Sequence, residues 1–146
     1  MDRKVRAVTD DLRAFVAARL DEDEAAARAA TEGPWSFAGY DSADGWPIVA
    51  NDEHEIVSRS GSDDAEHIAR HDPARVLREV TAKRAILAVH QIKPPTWREP
   101  DDQAFGCECC HFDRDEGIYG FGYCPTLKAL AAVYSDHEDF RGEWAA

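Results

Sequence analysis

The sequence predicts an α+β domain, a small antiparallel β-meander packed against three to four helices with a C-terminal zinc-stapled loop. Three observations carry this: a helical apolar stripe near the N-terminus, short extended segments between Trp35 and Val57, and a Cys/His group in a long glycine-bearing stretch near the C-terminus. The chain of 146 residues has the usual length of one domain and can bury roughly two thirds of the surface its unfolded form exposes. We read residues 1–146 as one domain.

The first helix is expected over residues 10–31. Leu12, Phe15, Val16 and Leu20 recur at three- and four-residue steps, which places them on one face. Asp10 is a candidate N-cap, and Gly33-Pro34 is a stop signal. Residues 35–58 then read as a meander of Trp35 to Tyr40, Pro47 to Ala50 and His54 to Ser58, with Asp44-Gly45 and Asn51-Asp52-Glu53 as turns. So small a sheet needs a helix on one face, with Trp35, Phe37, Ile48 and Ile56 or Val57 as the packing side chains. Helices are expected over 63–91. Asp72 caps the longer one, Pro73 stands at its first position, and Pro94-Pro95 stops it. Its stripe is Val76, Leu77, Val80, Arg84, Leu87 and His90, so an imidazole closes an apolar face.

Residues 94–123 show no sustained periodicity and are long for an unstructured connection, so something must hold them. They contain Cys107, Cys109, Cys110 and His111, and Cys124 follows at the start of a last helix over 125–135. Cys107 and Cys110 have the C-x-x-C spacing at which a tight turn aims two thiolates at one tetrahedral ion. Cys124 supplies a third thiolate from a helix N-terminus, where the dipole favours negative charge. The fourth ligand is His90 or His111. His90 is preferred, since it would tie the loop to a helix, whereas a residue adjacent to a ligand often points away. Zinc is the expected ion, with an iron–sulfur centre or bare thiols as alternatives. Three thiolates and an imidazole leave no position for a catalytic water, so the site is expected to be structural. The spacing leaves the role of Cys109 open.

The formal charge of −12 disfavours nucleic-acid binding, which draws its sequence-independent affinity from Lys and Arg. It permits a basic protein partner, or mimicry of a nucleic acid, but an acidic composition is most often a solubilising surface. The sequence has neither an apolar signal-peptide core nor a membrane-spanning stretch, so the expected location is cytoplasmic, where clustered cysteines more often mean metal than disulfide. His67, His71 and Asp72 could form a metal or general-base site, but helix capping by Asp72 is the simpler account. The sequence carries no phosphate loop, no nucleophile elbow and no H-E-x-x-H pattern. The functional expectation is a non-enzymatic, zinc-stapled acidic module that binds another protein. The alternative is a hydrolase using His67, His71 and Asp72, or a thiol enzyme using Cys109 or Cys124.

Four stretches carry a resemblance: Leu20-Asp21-Glu22-Asp23-Glu24, Gly33-Pro34-Trp35, His67 through Leu77, and Cys124-Pro125-Thr126-Leu127 through His137. Together they resemble an uncharacterised family of small acidic proteins from actinobacteria and their phages, known as a domain of unknown function. The resemblance implies cysteines ahead of a Cys-x-Thr-Leu helix start and a histidine closing the long helix, matched here by Cys107, Cys110, Cys124 and His90. Gly33-Pro34-Trp35 followed by a sheet and a helix with Asp64-Ala65-Glu66-His67-Ile68-Ala69 is also similar to accessory proteins of phage early regions, which implies a phage or mobile-element setting.

Overall fold

The computed structural model describes residues 3–37, 39–40, 45–51, 54–93, 106–115, 117–118 and 122–145. The turn and stop signals Asp44, Asp52, Glu53, Pro94 and Pro95 lie outside them. The described elements are α1 (Arg3–Ala29), β1 (Trp35–Phe37), β2 (Ile48–Ala50), β3 (His54–Val57), α2 (Ser62–Arg70), α3 (Pro73–Val89), β4 (Ile92–Lys93), β5 (Gly106–Cys107), β6 (Phe112–Asp113), β7 (Gly117–Ile118) and α4 (Pro125–Ala132), followed by a 3-10 turn at Gly142–Trp144. Helices and small antiparallel sheets make an α+β fold. The residues divide into two compact units, one of 1–20 with 82–146 and one of 21–81.

In the 21–81 unit the meander has strand order β1-β2-β3 with both pairings antiparallel. Trp35 faces Ala50 and Phe37 faces Ile48, while a register shift at Ile48/Val49 brings Val57 opposite Ile48. Asn51, with a φ of 52°, turns β2 into β3; its side-chain amide donates to the Glu32 carbonyl at 3.1 Å. Asparagine tolerates this left-handed backbone better than most residues. α2 packs on β1 and β2, and Ile48, Ala50 and Ala65 are buried there. Phe37, expected to pack inward, is 44% exposed. The sheet is only three strands wide, and β1 is its margin.

In the other unit the expected face of α1 is the core: Leu12, Phe15, Val16 and Leu20 are all buried. The helix begins at Arg3, so Asp10 lies inside it rather than at its cap. Arg, Lys and Ala upstream are good helix formers, and a capping residue does not by itself stop a helix that can continue. Phe15 is surrounded by the aromatic rings of Tyr134, Phe140 and Trp144 and the His137 ring, with centroids 5.0 to 6.4 Å away. Trp144 is 2% exposed, so the acidic C-terminal tail carries a core residue. α4 ends at Ala132, short of the expected 135, and gives way to turns.

Within the stretch expected to lack regular structure, two short ladders form. Ile92 pairs with Cys107 and Lys93 with Gly106; Phe112 pairs with Ile118 and Asp113 with Gly117. The first sets Cys107 beside the residues that follow α3.

Candidate metal centre

Three different elements bring the candidate ligands together. α3 ends at Val89, and His90 is the next residue, its amide still bonded to the Ile86 carbonyl at 3.2 Å. Arg13 of α1 donates to the carbonyls of Leu87 and His90, satisfying acceptors that a helix C-terminus leaves open and holding this end in place. Cys107 lies on β5, fixed by its pairing with Ile92 and by the Glu108 amide donating to the Gln91 carbonyl at 2.9 Å. Lys93 and Glu108 form an ion pair of 2.8 Å across the same ladder. Cys124 is the N-cap residue of α4, and Pro125 follows at the first position, where the missing amide hydrogen costs nothing.

Between Cys107 and Cys110 the chain makes a closed turn. The His111 amide donates to the Cys107 carbonyl at 2.9 Å, and the Cys107 amide donates to His111 Nδ1 at 2.8 Å. His111 is thus spent on shaping the turn. Burial lowers its pKa, which favours the neutral ring that can accept this bond. Cys109 is exposed and outside the cluster, its thiol donating to the Val89 carbonyl at 3.1 Å.

The ligand atoms of His90, Cys107, Cys110 and Cys124 all lie within 4.8 Å of one another, and the group could hold a metal ion. His90 Nδ1 stands 3.4 Å from Cys107 Sγ, 3.5 Å from Cys110 Sγ and 3.5 Å from Cys124 Sγ. Cys110 and Cys124 have their sulfurs 3.7 Å apart. One ring nitrogen has a single proton or a single lone pair, so it cannot hydrogen-bond three sulfurs at once. Near-equal spacing is what a shared centre produces. Bonds of about 2.3 Å to sulfur and about 2.0 to 2.1 Å to nitrogen, at tetrahedral angles, separate nitrogen from sulfur by about 3.6 Å and sulfur from sulfur by about 3.8 Å. The three nitrogen–sulfur separations and the Cys110–Cys124 separation lie close to these lengths.

Burial pushes the Cys124 thiol up to about 12. Burial also acts on Cys110, but hydrogen bonding to the Thr126 hydroxyl, 3.3 Å from its sulfur, and to the neighbouring thiols outweighs it and lowers its pKa. Of these two, Cys110 would ionise first and Cys124 last. A bound cation would favour thiolate at every position. Thr126, two residues past Cys124, is a supporting group that ligand spacing alone did not single out; its place in the Cys-Pro-Thr sequence was the available signal.

Among the described residues, His67, His71 and Asp72 join no metal-ligating group of three. His67 and His71 are exposed, with ring centroids 4.3 Å apart, and His71 Nδ1 lies 2.7 Å from the His67 carbonyl. Asp72 accepts from the Arg75 amide at 2.7 Å, the contact of a helix N-cap. Of the cysteines named for thiol chemistry, Cys109 meets a backbone carbonyl, and Cys124 shares His90 Nδ1, 3.5 Å from its sulfur, with the other two thiols of the cluster.

A small α+β protein with a four-residue Cys/His group able to hold a metal is what fold and geometry define. The chain belongs to the family of unknown function DUF6221, whose model matches residues 9–146. No curated protein and no solved structure matches it. Among the described residues no helix is long and apolar enough to cross a membrane.

Proposed function

We propose that His90, Cys107, Cys110 and Cys124 hold a structural zinc ion, and that the domain it fastens is a non-enzymatic acidic module that binds another protein. The observation that carries the reading is the near-equal 3.4 to 3.5 Å separation of one imidazole nitrogen from three sulfurs. Soft thiolates favour zinc over magnesium or calcium, and four protein ligands complete a tetrahedron with no position left for a reacting water. A polynuclear iron–sulfur cluster would hold its protein ligands farther apart, because inorganic sulfides stand between the irons. When bound, zinc would supply a cross-link rather than a reaction. It would fasten the end of α3, the β5 turn and the start of α4.

The free cysteines suit a reducing, cytoplasmic setting, and the resemblance of residues 64–69 to phage early-region accessory proteins favours a phage or mobile-element origin among actinobacteria. Elemental analysis of protein purified without added metal tests the centre. One zinc per chain is expected, and its loss in Cys124→Ser. Iron in its place, or no metal in folded protein, would overturn the assignment. Affinity capture from host lysate that repeatedly yields no specific partner would count against the interaction role.

A further inference from the structure

The net charge is unevenly spread. Residues 21–81 hold fifteen acidic side chains against five arginines, a balance of −10 out of the chain's −12. This same unit carries aromatic side chains that its own core does not absorb. Phe37 is 44% exposed and Tyr40 is 67% exposed, and each has its ring centroid 5.8 Å from that of Trp46. Beside them, where β1 meets α2, an open groove of about 600 Å³ is floored by Trp35, Phe37 and Ala69. At its rim Glu66 pairs with Arg70 at 2.6 Å. Elsewhere on the same unit Asp63 and Asp64, in the first turn of α2, and Glu55, on β3, are exposed.

We infer that this aromatic groove is the docking site for a basic segment of a partner protein, one that sets an apolar side chain in the groove and an arginine or lysine against the rings of Phe37 and Tyr40. The inference rests on the interaction-module reading above and adds the place and the chemistry. Contiguous exposed rings beside a groove mark an interaction surface, whereas single exposed apolar residues such as Val133 do not. Charge then selects the occupant. A cation over an aromatic face gains from the ring quadrupole, and the net charge of −10 on the unit steers it there from about a Debye length away. Polyphosphate, an anionic membrane surface and a second copy of the same face are all repelled by a balance of −10.

Selection of short random peptides displayed on phage against the full-length, metal-loaded protein tests this, with enriched peptides resynthesised and their affinity measured by fluorescence anisotropy. The expected sequences combine Arg or Lys with an aromatic or aliphatic residue. Their binding should weaken on the order of tenfold or more in a Phe37→Ser/Tyr40→Ser double variant, and stay unchanged in Val133→Ser. Both positions are exposed, so the double variant should keep its metal content and melting temperature. Enriched peptides that are acidic or uncharged, or that bind the double variant as tightly as the parent, overturn the docking site while leaving a peptide-binding module intact. A selection that enriches nothing overturns both.

Discussion

Replacing Cys124 with serine removes one of three candidate thiolates and leaves the turn, the ladder and the other ligands in place. Its cost follows from what the ion would hold: residues 106–115 carry only two-residue ladders and a few local bonds, and a structural zinc site is usually worth about 10 to 16 kcal/mol. A quarter of that, about 3 kcal/mol, is the least that loss of one ligand should cost, a drop in melting temperature of about 6 to 12 °C for a chain of this length, and complete loss of the ion costs more. Calorimetry with and without a chelator reads it. The parent should fall by at least this much on chelation, and Cys124→Ser should start low and change little. Cys109→Ser, whose thiol lies outside the cluster, should melt and load like the parent. The reasoning is refuted if chelator and Cys124→Ser both leave the melting temperature within about 2 °C of the parent, a shift of less than about 1 kcal/mol.

Three further outcomes are expected. Without an ion the Cys124 thiol, pushed up to about 12 by burial, is protonated at neutral pH. Coordination must displace that proton, so metal affinity rises with pH and falls on acidification, by up to about a thousandfold per pH unit if three thiols release protons together; competition against a chelating dye calibrated at each pH checks the sign and slope. Asp72→Ala removes the cap on the Arg75 amide and should cost about 1 kcal/mol, seen as a midpoint shift in urea with unchanged slope and unchanged metal content. Phe15→Ala empties a site 7% exposed and ringed by four side chains, and should cost about 3 to 5 kcal/mol by the same measurement; a loss under about 1 kcal/mol would mean that the aromatic cluster is not packed as described.

The sequence alone determined what neighbours along the chain can specify. The buried face of α1 was legible in the spacing of Leu12, Phe15, Val16 and Leu20, because helical periodicity is a local property. Asp72-Pro73 marked the start of α3 for the same reason, and the meander followed from turn residues between short extended runs. The residue types of the candidate centre were legible too, since thiol and imidazole chemistry belongs to the side chain itself. Only the tertiary structure decided that His90 joins the cysteines while His111 turns to the Cys107 amide, and that Trp144 is core rather than tail. It alone paired β4 with β5, formed Phe15's ring cluster and left Phe37 at the sheet margin. These outcomes depend on groups far apart in sequence, such as His90 and Cys124, 34 residues from each other. Two-residue strands carry too little pattern to announce themselves, and the convergence of four ligand atoms becomes visible only once the packing that positions them is complete.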